Sequence, residues 1–323
     1  MRYVDVGGAH LSVIGLGTWQ FGSREWGYGT EYAEHTAVDI VHRALDLGIN
    51  LIDTAEIYAF GRSERIVGRA IAGRRDEAFV ATKVFPVAPL APVVQQRAVA
   101  SADRLGIDTI DLYQVHWPNP LVPIRWTMAG VASLLRTGVV RHAGVSNFSL
   151  AQWKEAERSL GGPVLSNQVS FSLAQRGPDR ELVPWAQENG RLVIAYSPLA
   201  QGLLSARFDS KTPPPGGVRA GNPLFLPENL ERAQPLLDAL REVAVAHGAT
   251  PAQIALAWLI RKPNVVAIPG ASSVAQLEAN AAAADIDLSD DEHRRLTEAS
   301  DAFSPIGGPR AAVQLAKARV RRA

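Results

Sequence analysis

Four residues at the ends of three successive apolar segments carry groups that together can move a proton and stabilise a negative charge. They are Asp53 at the end of NLID, Tyr58 five positions on, Lys83 at the end of FVATK and His116 at the end of TIDLYQVH. A phenol with an ordinary pKa of ~10 donates poorly at neutral pH unless a nearby cation stabilises its anion. Lys83 would be that cation, Asp53 would hold it charged and oriented, and His116 would aim a second hydrogen bond at a carbonyl oxygen. Taken singly, each has a structural alternative: a strand-end Asp caps a helix, a Tyr packs, a Lys is solvated. Together they are chemically coherent. Glu56 and Glu64, in the same stretch, read as surface or structural groups, with Arg62-Ser63-Glu64 opening a helix.

The elements that must position these groups alternate along the chain. Short apolar or β-branched runs occur at 13–17, 50–54, 78–84, 109–116, 142–147, 163–169, 191–199 and 265–270. Amphipathic segments lie between them, such as 36–48, where Val38, Val41, Ala44 and Leu45 follow helical spacing and Gly48 stops the helix. Alternation of this kind, with runs apolar on both faces, predicts an α/β fold with a parallel sheet covered by helices.

Eight such units predict a (β/α)8 TIM barrel, with an N-terminal β-hairpin around Gly7-Gly8 and extra C-terminal helices. One domain over 1–323 is expected, with a core of about 14–285 and a tail of about 304–323. A doubly wound sheet is the alternative, but no strand is followed by G-x-G-x-x-G with an acidic residue ~20 positions on. In a barrel, catalytic groups stand at the C-terminal ends of the strands, where all four residues fall.

Composition narrows the function classes. The 33 Lys and Arg balance 32 Asp and Glu, giving a net charge of +1, so no bulk attraction toward nucleic acid or acidic membrane is expected and a small-molecule ligand is the default. Cysteine is absent, which removes disulfides, thiol catalysis and Cys-ligated metal. The seven histidines show no H-E-x-x-H spacing and no G-x-S-x-G elbow occurs, so no metal site is expected. No apolar run approaches the ~20 residues of a membrane span. A cytoplasmic monomer is the expectation. The segment 201–228, with PPPGG and NPLFLPE, lacks helical periodicity and is long enough to be either functional or disordered. Thr250 and Ser289, the latter with Glu292 at capping-box spacing, read as N-caps, and the basic tail from Arg310, with Val313, Ala316 and Val320 on one helical face, as a surface helix, a frayed terminus or a binding element.

IDTAEIYAFGRSE, ATKV, YQVHWPNP, GVSNF, SNQVSFS, YSPLAQGLL and IPGASS, in that order, resemble the aldo-keto reductases over residues 15 to about 280. The position of the Pro-rich loop after YSPLAQG is similar to the longer bacterial and channel-subunit-like branch. The resemblance implies a tetrad of Asp53, Tyr58, Lys83 and His116, with Tyr58 as the acid in carbonyl reduction. It implies a nicotinamide cofactor whose carboxamide meets Ser146, Asn147 and Gln168 and whose ring stacks on Tyr196. Thr18, Trp19 and Asp53 would approach it from the first two strands, and Ser197, Pro198, Leu199, Ala200, Gln201 and Gly202 would line the pyrophosphate. Gly270, Ser272, Gln276 and Asn280 would surround the adenosine end.

This chain departs from the family pattern there: Gly270-Ala271 and Gln276 stand where cations often serve a 2'-phosphate. Arg207 and Arg219 in the loop after strand seven occupy similar positions to the basic residues of the long-loop branch, so NADPH is expected over NADH. Solvated loop arginines are the alternative. Trp19, Phe21, Trp26 and Trp117 follow strands one and four and, with Tyr58 and His116, would face an apolar or planar carbonyl substrate; packing is their alternative. An NADPH-binding regulatory or auxiliary protein is the competing function.

Overall fold

The computed structural model describes residues 1–29, 33–214 and 217–320. An antiparallel hairpin comes first, β1 (Tyr3–Val6) and β2 (Ala9–Ser12), turned at Gly7 and Gly8, which both hold positive φ. Eight parallel strands follow: β3 (Leu16–Gly17), β4 (Leu51–Asp53), β5 (Phe79–Val84), β6 (Ile110–Val115), β7 (Val140–Ser146), β8 (Ser166–Ser170), β9 (Leu192–Tyr196) and β10 (Val265–Ala267). They pair in sequence order, and parallel bridges Ile14–Ala267 and Gly17–Gly270 join the first strand region to the last. The sheet is therefore closed, which rules out the doubly wound alternative.

Helices α1 (Glu34–Asp46), α2 (Arg62–Ile71), α3 (Ala91–Leu105), α4 (Ile124–Thr137), α5 (Leu150–Leu160) and α6 (Leu182–Glu188) alternate with the strands. After β9 come α7 (Pro227–Ala246) and α8 (Pro251–Ile260), and after β10 come α9 (Val274–Ala281), α10 (Asp290–Ala302) and α11 (Gly308–Val320). Reciprocal capping boxes start α8 at Thr250 with Gln253 and α10 at Ser289 with Glu292. The buried stripe of α1 is Ala37, Ile40, Val41, Ala44 and Leu45, with Val38 only half-buried at its edge. Among the described residues of segment 201–228, short 3-10 turns and no α-helix precede Pro227. In the basic tail Ala311 is buried and Val313 exposed, while the side chains of Ala316 and Val320 lie outside the described residues. No single helix among the described residues is long and apolar enough to cross a membrane.

Two apolar layers hold the barrel. Ile52, Val80, Tyr113, Val115, Val193 and Ala195 face the helices. Leu51, Phe79, Ala81, Leu112, Leu192, Ile194 and Val266 fill the interior, joined by Ala9 and Leu11 of the hairpin. Because side chains alternate along a strand, the inner series of Leu51 on β4 and of Phe79 and Ala81 on β5 continues to Asp53 and Lys83 at the strand ends. The interior is full: a Cβ on Gly144 would lie 2.8 Å from both Gln114 Cγ and Ser166 Oγ. Glycine at 144 is what admits the Gln114 side chain to the centre.

Candidate active site

At the C-terminal ends of β4 and β5, Lys83 is fully buried and donates to Asp53 Oδ1 at 2.6 Å, to the Thr54 carbonyl at 2.7 Å and to the Tyr58 hydroxyl oxygen at 3.3 Å. An ammonium has three protons and no lone pair, so these three bonds complete it. The Tyr58 oxygen is accordingly an acceptor toward Lys83, and its own proton points elsewhere. The Tyr58 ring meets the His116 ring edge-on at 5.9 Å, bringing all four residues of the expected tetrad together.

Burial tends to lower the Lys83 pKa, but Asp53 and Tyr58 beside it raise it on balance, so it stays an ammonium. Burial also raises the Tyr58 phenol, and the Lys83 charge only partly offsets this. The sequence-based expectation that Lys83 would lower this phenol is thus outweighed by desolvation, and Tyr58 keeps its proton at neutral pH. Burial first, and then the Lys83 charge, push His116 down to about 2.

His116 is therefore a neutral imidazole, with its buried Nδ1 lacking a hydrogen-bond partner. Unfolded, it titrates at ~6.5. From that pH down to the folded value only the unfolded chain binds the proton, so this group makes stability fall as pH falls. A His116→Gln variant is expected to flatten the stability slope between about pH 6 and 4 by up to about 1.4 kcal/mol per pH unit. Urea unfolding across that range reads it, and an unchanged slope would mean that the imidazole charges in the folded protein.

Polar groups from β6 to β9 extend the centre. Gln168 donates to Asp53 Oδ2 at 2.7 Å, and Gln114 approaches the same oxygen at 3.4 Å. Ser146 Oγ donates to the Gln168 carbonyl at 2.8 Å, Asn147 Nδ2 to the His116 carbonyl at 3.1 Å, and Tyr196 OH to Asn147 Oδ1 at 2.9 Å. Gln114 was not read from the sequence; its signal was its inward parity with Leu112 and His116 on one strand.

Left-handed backbone at non-glycine residues is uncommon and costs energy, and here it clusters beside the tetrad. Asn147 has φ 61°, Ser197 49°, Ala200 49° and Gln201 55°, and Gly202 follows at 97°. Mixed right- and left-handed turns can aim N–H groups at an anion; in this one the Ala200 and Gly202 N–H groups bond back to the Ser197 and Leu199 carbonyls at 2.9 Å each. Arg219 Nε donates to the Gln201 carbonyl at 2.8 Å, and its guanidinium lies over the rings of Trp26 at 5.3 Å and Phe208 at 5.8 Å. Arg219 thus stands over the 201–202 turn, while Arg207 is exposed. Further along, Ser272 N–H and Oγ both bond Gln276 Oε1, and Asn280 Nδ2 donates to the Gly270 carbonyl at 3.2 Å. Pro198 is buried and Leu199 half-buried.

Two expected contacts lie elsewhere. Thr18 is fully buried, bonded through Oγ1 to the Asp53 carbonyl at 2.9 Å and to Ser63 Oγ at 2.8 Å, so its hydroxyl ties β4 to α2 and is not presented to a ligand. Phe21 is wholly buried in the layer between sheet and helices, because its N–H turns back to the Thr18 carbonyl. The other aromatics stay near the rim. Trp117 is 41% exposed and stacks flat on His116 at 3.9 Å, and Trp19 is 43% exposed and meets Trp26 edge-on at 5.2 Å. Phe85 adds a wall the sequence reading missed, edge-on to His116 at 6.2 Å and to Trp117 at 5.9 Å.

Of the two readings of Glu56 and Glu64, surface or structural, the structure favours the structural one. Glu64 is fully buried, accepting from Thr82 Oγ1 and Arg104 Nε at 2.6 Å each. Glu56 accepts from Phe85 N–H at 2.5 Å and pairs with Arg97 at 3.2 Å.

The profile of the Aldo/keto reductase family matches residues 13–301. The chain is 56% identical over 323 residues, the full length of both, to an uncharacterized oxidoreductase of Mycobacterium tuberculosis. It is 32% identical over 316 residues to the NADH-specific methylglyoxal reductase of Escherichia coli, covering 91% of this chain and 96% of that one. Among solved structures, an aldo/keto reductase from Klebsiella pneumoniae in complex with NADP and acetate matches with a TM-score of 0.74 at 32% identity, over 95% of this chain and 97% of the other. The closed barrel, the buried Lys83–Asp53 pair beneath a tyrosine and these matches together place the chain in the aldo/keto reductase family, as an NAD(P)H-dependent reductase.

Proposed function

We propose that the chain reduces aldehydes or ketones to alcohols, with NADPH preferred and Tyr58 as the general acid. The observation that carries this reading is the Lys83 bond into the Tyr58 oxygen, which leaves the phenol proton free for a substrate oxygen above it. The neutral His116 donates or accepts beside that oxygen without adding charge, and Asp53 keeps Lys83 cationic. As the carbonyl becomes an alkoxide, Tyr58 gives up its proton and the ammonium at 3.3 Å stabilises the phenolate that forms.

The groups present fit a nicotinamide dinucleotide. Ser146, Asn147 and Gln168 offer amide and hydroxyl partners for a carboxamide, and the exposed side of Tyr196 suits an aromatic ring. The strained turn from Ser197 to Gly202 suits a diphosphate. When bound, the reduced nicotinamide supplies the hydride. Residues Gly270, Ser272, Gln276 and Asn280 fall to the adenosine end, and Arg207 to its 2'-phosphate. Because Arg219 lies against Gln201 and Gly202, we assign it to the diphosphate in place of the 2'-phosphate. Trp19 and Trp117 would border an apolar carbonyl substrate.

Turnover with a panel of aldehydes tests the activity: consumption of NADPH by none of them would favour an auxiliary binding role. Titrating NADPH and NADH against the parent and Arg219→Ala tests the cofactor assignments. The parent is expected to bind NADPH more tightly, and the variant to lose about 10-fold for both cofactors, a charge-assisted contact of about 1.4 kcal/mol. A loss confined to NADPH would return Arg219 to the 2'-phosphate.

A further inference from the structure

Glu56 lies two residues before Tyr58, on the loop that carries the acid, and its backbone N–H reaches the Lys83 carbonyl at 3.4 Å. Its carboxylate crosses to the next loop, where Oε1 accepts from the Phe85 N–H at 2.5 Å. Arg97 of α3 closes the ring, pairing with Glu56 Oε2 at 3.2 Å and donating to the Phe85 carbonyl at 2.6 Å. Both polar ends of Phe85 are therefore held by one ion pair, whose carboxylate side chain is only 9% exposed.

The two loops joined in this way need a tie. On the tyrosine side Ala59 and Phe60 hold φ of 47° and 55°, a conformation that non-glycine residues keep only when their surroundings impose it. On the other side Phe85 packs edge-on against both His116 and Trp117. The phenol and the aromatic wall above it thus share one anchor.

We infer that Glu56 is a positioning residue for the reduction: with Arg97 it clamps the Tyr58 loop to the Phe85 loop, so that the acid and the substrate wall keep one relative placement. This rests on Tyr58 being the proton donor. Glu56 touches no reacting atom, and its effect passes through Tyr58 and Phe85.

The test compares Glu56→Ala, Glu56→Asp and Glu56→Gln. Gln keeps an oxygen for the Phe85 N–H at the same reach and gives up only the ion pair with Arg97, which stays on the Phe85 carbonyl, whereas Asp keeps the charge but is one methylene too short to span the gap. Misplacing a catalytic group by about 1 Å costs up to about 100-fold, so kcat is expected to fall about 10- to 100-fold in Ala and Asp. NADPH affinity, read by quenching of tryptophan fluorescence, should stay within about twofold and Gln should recover kcat to within about threefold, because the cofactor groups lie on β7 to β10. If Glu56→Ala does not fold, the Asp and Gln pair carries the comparison.

Parental kcat in Asp overturns the clamp. So does a kcat loss in Gln equal to that in Asp, or an accompanying loss of cofactor affinity, which would mark a general structural role. Tyr58→Phe is assayed alongside. If that variant turns over at the parental rate, the acid assignment has failed; if it is inactive while Glu56→Asp is unimpaired, only the clamp has.

Discussion

Tyr58→Phe is expected to lower kcat by about 1,000-fold while leaving the NADPH dissociation constant within about twofold, since positioned general acids contribute about 100- to 10,000-fold. The substitution removes one oxygen from a site whose other bonds do not depend on it: Lys83 keeps Asp53 Oδ1 and the Thr54 carbonyl, and the Tyr58 ring keeps its edge contact with His116. Folding should therefore persist and the loss should lie in the chemical step. Single-turnover mixing of the NADPH complex with an aldehyde measures it directly. A hydride-transfer rate equal to the parent's would remove Tyr58 from the role of acid.

The second large effect concerns stability as well as rate. Asp53 is 2% exposed and its Oδ1 has Lys83 as its charged partner. Lys83→Met would leave that carboxylate buried with only the amide bonds from Gln168 and Gln114 to Oδ2. Breaking a buried pair by removing one member costs about 3–5 kcal/mol, mostly because the remaining charge is uncompensated. Adding Asp53→Asn to Lys83→Met removes the stranded charge and is expected to restore much of the stability while activity stays lost. Denaturant unfolding of the parent and the two variants separates these effects. Equal stability of parent and Lys83→Met would mean that Asp53 takes up a proton in the folded state.

Much of the framework was legible in the chain because its signals are local. β-branched or apolar runs bounded by turn residues marked all eight barrel strands, and glycines or N-caps such as Thr250 and Ser289 marked helix ends. Their place at the C-terminal ends of barrel strands then put Asp53, Lys83 and His116 on one rim. The residues that escaped are those defined by packing between segments far apart in sequence. Gln114 reaches Asp53 only because residue 144, on the neighbouring strand, is glycine. Phe85 becomes a wall only once β5 and β6 lie side by side. Thr18 was expected near the cofactor from the resemblance and Phe21 near the substrate because it follows a strand, but the turn back at Thr18 carries Phe21 into the core.

What the sequence by itself determined was a barrel of eight βα units and the identity of four groups able to do acid chemistry, since periodicity and residue type are properties of short segments. Only the tertiary structure decided the electrostatics. The phenol of Tyr58 rises where Lys83 alone would have lowered it, His116 is held neutral, and of the surface and structural readings of Glu56 and Glu64 the structural one holds, with Glu64 buried and Glu56 half-buried. Each of these depends on how much water is excluded and which charge from another segment takes its place, and both are set only when the barrel closes.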